Sequence, residues 1–210
     1  LELNARCYAI DTWAGDEHAG YYGDEVLIDL KKNHDPLYSD FSELIKGTFD
    51  AALDRFEYRT IDLIHIYGYH TYEAVKRDFY NWLPKMSARG VILFHDIAVK
   101  EADFGVWKFW DEHKLRYPHF DFSHGYGLGI LLVGEQIPSG LDLLLKETAN
   151  LSLMEEFFLQ MGLRLEREYL LSEQVTQQER TLQQIFKSKS WKLMLFLQRI
   201  RGWFSPSATG

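Results

Sequence analysis

The sequence predicts an α/β fold built on a mostly parallel sheet and followed by a helical extension. Three observations predict it. Two short apolar runs, Ile61–Ile66 and Gly90–Phe94, flank a segment of helical periodicity, which is the order of a β-α-β unit. Polar residues gather where both runs stop, at Tyr67-Gly68-Tyr69-His70 and at His95-Asp96. In an open parallel sheet the ligand crevice lies beyond the carboxyl ends of the strands, so His70, His95 and Asp96 point to one site. From Ser139 the composition shifts, and Leu153–Ile185 is rich in Glu, Gln, Arg and Leu. With 210 residues, 46% of them hydrophobic, the chain has material for one full core and a small appendage.

Each element has its own signal. Arg6–Ile10 reads as a core strand delivering Asp11 to its carboxyl end, ahead of a glycine- and acid-rich loop, Trp13–Gly20. A helix over Asp24–Asn33 follows, with Val26, Leu27 and Leu30 on one face, and His34-Asp35-Pro36 stops it. Ser42–Phe49 reads as a strand, with Asp50 placed to cap a helix through Phe56. Ile61–Ile66 is apolar on both faces apart from Asp62 and His65, the pattern of a strand covered by helices on both sides, with His65 a core histidine. Thr71–Lys85 carries the stripe Ala74, Val75, Phe79, Trp82 and Leu83, and Ser87–Gly90 reads as the turn before the next strand. A helix over Phe104–Arg116 ends at Pro118, and His119–Phe122 and Leu128–Val133 close the sheet as a strand pair. The α/β domain is expected over residues 1–138 and the helical tail over 139–210. In the tail, Leu171, Val175, Leu182 and Ile185 keep a 4-7-3 spacing, which predicts a short coiled coil or docking helix pair and, through it, a homo-oligomer. Lys187–Phe204 mixes basic and aromatic residues, which suits a helix lying on a membrane surface or packing on another domain.

Composition removes several function classes. A formal charge of -8 argues against general nucleic-acid binding, which needs clustered Lys and Arg. The single cysteine, Cys7, excludes an internal disulfide and a cysteine-based zinc site, and its apolar surroundings predict a buried strand residue. No apolar run approaches the ~18 residues of a membrane span, and the start has no leader pattern, so a cytoplasmic location is expected. His-x-x-x-His, Gly-x-Ser-x-Gly, the Gly-x-x-x-x-Gly-Lys loop and Asp-x-Asp are all missing. Elimination leaves a nucleotide-like cofactor and proton-abstraction chemistry.

The candidate residues follow. Asp11 either accepts from a ribose diol or caps its turn. His70, in a turn that opens a helix, can serve as general base to a bound hydroxyl or be simply solvated. Asp96 can ligate a divalent cation, orient a base or cap the next turn. Strand alternation turns His95 into the core, opposite Asp96. His18, His124 and the Gly125-Tyr126-Gly127 turn are weaker candidates.

Taken in order, Cys7–Trp13 with Gly15–Gly20, Ile61–Ile66 with Gly68, His70–Val75, Trp82–Pro84, Gly90–Asp96 and Asp103–Trp107 resemble the type-24 class I methyltransferase domains. These often occur in bacterial proteins that also contain glycosyltransferase domains. The resemblance, from about Cys7 to Gly134, implies a Rossmann-like fold and S-adenosylmethionine as methyl donor. It implies that Asp11 holds the donor ribose, that Thr48 and Phe49 lie near the adenine, and that Tyr67 and Gly68 line the cofactor pocket. By similarity to catechol-type O-methyltransferases, His70 falls at the acceptor base and Asp96 at a metal-binding aspartate, which implies a magnesium ion. The implied acceptor is a sugar or glycan hydroxyl of a bacterial surface polysaccharide, and glycosyltransferase domains are implied partners. A non-catalytic methyltransferase-like scaffold is the alternative. Two departures stand out. Tyr67 replaces the aspartate usual before the glycine, and a phenol is a poor hard-cation ligand. The glycine-rich first strand and turn have no counterpart before Cys7, so the sheet is expected to lack its first strand.

Overall fold

The computed structural model describes residues 4–17, 20–146 and 151–204. Two compact units emerge, Leu1–Glu155 and Glu156–Gly210. The first is α/β. Strand β1 (Cys7–Asp11) runs parallel to β4 (Ser42–Lys46), in register from Cys7 opposite Ser42 to Asp11 opposite Lys46. A four-stranded sheet has the order β5-β6-β8-β7, formed by β5 (Ile61–Ile66), β6 (Met86–His95), β8 (Leu128–Leu132) and β7 (His119–Phe122). β5 and β6 are parallel, and the closing strands are antiparallel. A two-residue ladder, β2 (Gly15–Asp16) with β3 (Gly20–Tyr21), folds the loop after β1.

The helices explain the parallel order, because a parallel pair needs a crossover. α1 (Glu25–Tyr38) links β1 to β4, and α3 (Tyr72–Trp82) links β5 to β6. α2 (Phe49–Ala52) and α4 (Val106–His113) follow β4 and β6. Phe79, Phe94, Phe109, Trp110, Ile92 and Leu131 are each 2% exposed or less and form the main core between α3, α4 and the sheet. On the other sheet face, Leu141 and Leu145 of α5 (Ser139–Lys146) pack with Val91, Phe120 and Ile130.

Several expectations are corrected. α1 continues through Pro36, which removes one donor only in the last turn, where the helix is ending anyway. His34 Nε2 lies 2.9 Å from Ser42 Oγ and helps to fix that turn. Thr48, not Asp50, caps α2, its hydroxyl accepting from Ala51 N at 3.2 Å. Ser87–Gly90 is not a turn but the first half of β6, held to β5 by Ser87 and Arg89 donating to Asp62. Cys7 is exposed. β5 is not covered on both faces, since α5 reaches β6 and β8 but leaves Leu63 59% exposed and His65 exposed beside it. The buried core histidine is His113, 2.9 Å from Phe109 O and 3.0 Å from the Tyr80 hydroxyl.

The second unit is helical. α6 (Leu151–Lys187), which begins in the first unit, is 37 residues long, and α7 is Lys189–Phe204. Ser188 separates them, its hydroxyl accepting from Trp191 N at 3.1 Å. Among the described residues no helix is long and apolar enough to cross a membrane.

Candidate active site

The site begins with the register of β5 on β6, which pairs Ile66 with Phe94 and so ends both strands at one sheet edge. Thr71 caps α3 by accepting from Ala74 N at 3.3 Å, leaving residues 67–70 as the intervening turn. That turn is clamped from α4. Gly105 N donates to His70 O at 2.8 Å, and Thr71 bridges to Phe104. A Cβ at Gly105 would sit 2.3 Å from Tyr72 N, so only glycine permits this approach. The His70 ring lies nearly flat on Phe104, with centroids 4.9 Å apart and planes at 11°.

Asp96 follows the last residue of β6 and turns left-handed, with φ +62°. Its N donates to Gly127 O at 3.0 Å. Such a conformation is costly for a residue other than glycine and persists where the surroundings fix it. His95 itself still alternates with Phe94, and it is not in the core because its face of β6, shared with Leu93 and with His65 of β5, is left partly open, while the turn at Asp96 swings that carboxylate to the same side. The His95 side chain is 32% exposed, with Nδ1 2.8 Å from Asp96 Oδ1. His70 Nε2 lies 3.3 Å from Asp96 Oδ2. One carboxylate, with Asp96 7% exposed, therefore bridges two imidazoles. Tyr67, 59% exposed, stands edge-on to both rings, at 4.5 Å from His95 and 5.6 Å from His70.

Neighbouring groups add to the site. His65, expected in the core, stacks on Tyr67 at 5.8 Å. Lost hydration, then repulsion from His95, hold its pKa below the usual imidazole value. The Tyr69 hydroxyl donates to Glu17 at 3.1 Å, and that bond, reinforced by burial and by the Asp103 and Asp16 charges, raises its pKa. Asp78, which the sequence reading missed, is 3% exposed on α3 beneath the turn. Its Oδ2 would lie 3.4 Å from a Cβ at Gly68. Burial pushes its pKa up to about 6, against the pull of Arg77 and with help from Asp50. Its signal in the sequence was an acid on the apolar stripe between Val75 and Phe79. His124 lies edge-on to Phe122 at 5.6 Å, and His18 falls outside the described residues.

A second group lies at the carboxyl ends of the separate β1–β4 pair. Gly47 N donates to Asp11 O at 2.9 Å, joining the end of β1 to the loop that carries Thr48 and Phe49. Asp11 is exposed, and its Oδ1 accepts from Trp13 N at 2.6 Å. The Phe49 ring packs over Gly68, where a Cβ would meet it at 2.5 Å. Asp11, Phe49 and Gly68 thus belong to adjoining strand ends, while the Thr48 hydroxyl is engaged as a cap.

Comparison with known proteins fits this geometry. Residues 1–97 match the type-24 family model described as "Methyltransferase domain". This segment is similar to the methyltransferase domains of that family. The chain is also 44% identical over 164 residues to the uncharacterized protein y4gI of Sinorhizobium fredii, covering 77% of this chain and 18% of that protein. The chain therefore spans about a fifth of the length of this curated relative. Three solved structures are more distant. A Corynebacterium glutamicum protein has a TM-score of 0.46 at 14% identity, covering 63% of this chain and 62% of its own. A Staphylococcus aureus protein described as a candidate caffeoyl-CoA O-methyltransferase has 0.46 at 12%, covering 61% and 75%. The SAH-bound Podospora anserina methyltransferase PaMTH1 has 0.41 at 15%, covering 60% and 70%.

The methyltransferase family binds S-adenosylmethionine, and the Asp11, Phe49 and Gly68 edge fits that group. It offers an exposed carboxylate for a diol and a half-buried ring over a turn with no side chain in the way. The implied magnesium does not fit. Magnesium demands an octahedron of oxygens, whereas the cluster offers one carboxylate, two imidazoles and the Tyr67 phenol.

Proposed function

We propose that this domain transfers a methyl group from S-adenosylmethionine to a hydroxyl of a sugar or glycan in bacterial surface polysaccharide synthesis. The observation that carries the reading is the 3.3 Å contact of His70 Nε2 with Asp96 Oδ2 at the carboxyl edge of the sheet. His70 is the general base, a role for which an imidazole is suited at neutral pH. Asp96 orients the ring and stabilises the imidazolium that forms as the acceptor hydroxyl loses its proton. The Phe104 ring holds the imidazole plane, and the Gly105 bond holds its backbone. Asp11 accepts from the donor ribose, Phe49 flanks the adenine, and Tyr67 and Gly68 line the pocket beside them. The donor supplies an activated methyl on its sulfonium, so the protein's contribution is alignment and proton removal. An exposed Tyr67 ring next to the base, with the Tyr69–Glu17 pair nearby, suits a sugar that presents both an apolar ring face and hydroxyls.

The helical unit is read as the part that meets partners. α6 exposes Leu171, Val175, Leu182 and Ile185, which supports a coiled coil between two copies, and residues 187–204 supply the contact with glycosyltransferase domains or the inner membrane face. The tail expected from residue 139 is read as beginning beyond α5, which packs on the sheet, and the location is read as the cytoplasm. One observation favours a non-catalytic scaffold instead, namely Tyr67 in place of a carboxylate. Calorimetry with S-adenosylmethionine decides first, since the catalytic reading requires binding that an Asp11→Ala variant loses. A screen of sugar acceptors for S-adenosylhomocysteine release then follows, and donor binding without turnover on any sugar would leave the acceptor assignment without support.

A further inference from the structure

We propose that His70, His95 and Asp96 form a binding site for a borderline divalent transition ion of the zinc class, not for magnesium. One ligand atom from each lies within 4.8 Å of the others. A tetrahedral zinc site with bonds of ~2.0–2.1 Å has ligand atoms about 3.3 Å apart, so modest side-chain rotation closes this set onto one ion. The Asp96 carboxylate already sits 2.8 Å from His95 Nδ1 and 3.3 Å from His70 Nε2. Asp96 Oδ1 and His95 Nδ1 are close yet lack the alignment of a hydrogen bond, so their lone pairs are not committed to each other. The left-handed turn at Asp96 is what brings the two residues to the same side, and the Gly127 bond holds it there. Two imidazoles and one carboxylate suit zinc, iron, cobalt or nickel, and the exposed side of His95 leaves the fourth position open to water. The inference stands apart from the methyl-transfer reading, because ion binding requires no donor or acceptor. It also bears on it. A bound ion occupies the His70 lone pair, so ion occupancy and base catalysis exclude one another.

The test is calorimetric titration of the full chain with zinc chloride and, separately, magnesium chloride. One zinc per chain is expected, with magnesium at least about a hundredfold weaker. His95→Ala, at a part-exposed position, should weaken zinc by more than about tenfold while thermal melting of the metal-free protein stays unchanged. His70→Asn and Asp96→Asn should each do the same to binding. Cobalt loaded in place of zinc should show the visible bands of a four-coordinate site and lose them in His95→Ala. Zinc binding that survives His95→Ala and His70→Asn overturns the proposal and moves the ion elsewhere, for instance to His34 and Asp35. Magnesium binding as tight as zinc overturns it as well. Loss of donor binding in the same protein would sink the methyl-transfer reading and leave the metal site standing.

Discussion

At the residue scale the pairing of His70 with Asp96 makes an asymmetric prediction. Replacing His70 by Gln removes the proton acceptor and should lower methyl transfer by ~10²–10⁴, with donor affinity unchanged by calorimetry. Asp96→Asn keeps the ring's neighbour but loses the charge that favours imidazolium, so its loss should be smaller. Equal losses, or a fall in donor affinity with His70→Gln, would contradict these roles. Asp78 makes a different prediction, about stability. Its folded pKa of about 6 lies above the ordinary 3.8, so the folded state binds the proton more tightly than the unfolded chain. The contribution of Asp78 to stability is therefore fully present below about pH 4, is lost as pH rises through 6, and stays lost above it. Keeping the buried carboxylate charged at neutral pH costs up to about 3 kcal/mol, so Asp78→Asn should raise the melting temperature at pH 7 to 8, with the gain vanishing near pH 4. A pH-independent difference between the two proteins would count against this. His70 and Asp96 were legible because they follow apolar runs directly. His95 was not, since alternation places it opposite Phe94 but does not say that this face is left open beside His65, nor that the positive φ at Asp96 turns the carboxylate to the same side.

At the element scale the site depends on two glycines, Gly105 and Gly127, that hold loop to loop. Gly127, at φ +85°, offers its carbonyl to Asp96 N, and a Cβ there would meet Ile97 Cγ1 at 2.8 Å and Ala98 N at 2.9 Å. Gly127→Ala should cost about 1–3 kcal/mol through the strained backbone alone. Because the same loop fixes the Asp96 turn, methyl transfer should fall more steeply than folded fraction. Chemical denaturation and turnover, measured on one sample, separate the two effects. If activity merely tracks the folded fraction, the glycine is structural only. Periodicity revealed α3, β5, β7 and β8 within a residue or two of their ends, apart from the single-turn close of α3 in a 3-10 segment, because their apolar patterns answer to a real core. It misjudged Ser87–Gly90, whose turn-like composition is overridden by bonds from Ser87 and Arg89 to Asp62 across the sheet. It also overestimated how far helices cover β5. Apolar residues on both faces of a strand predict cover but do not say which element supplies it, and α5 stops short of Leu63.

At the scale of the whole molecule the question is what the helical unit does with its surface. A 37-residue helix is about 55 Å long, and side-chain pairs such as Arg164 with Glu168 contribute only tenths of a kcal/mol each. Most helical stability in proteins comes from burying an apolar face. In α6 that face is not buried by the helix itself. Leu171, Val175, Leu182 and Ile185 are between 45% and 55% exposed and repeat at the 4-7-3 spacing of a two-helix seam. Gln178 interrupts the seam at one position, a substitution that in coiled coils selects register at some expense of stability. Self-association through α6 therefore predicts a dimer whose population and helix content rise together with protein concentration. Val175→Asp with Leu182→Asp should abolish both, since each places an unpaired charge in the seam. Sedimentation equilibrium of the full chain, with circular dichroism at matched concentrations, reads the two quantities. Donor binding should be the same in both proteins, because Asp11, Phe49 and Gly68 all lie in the first unit. A variant that remains dimeric would show that the seam is not what joins the copies. A wild-type chain that stays monomeric with full helix content would show that α6 needs no partner.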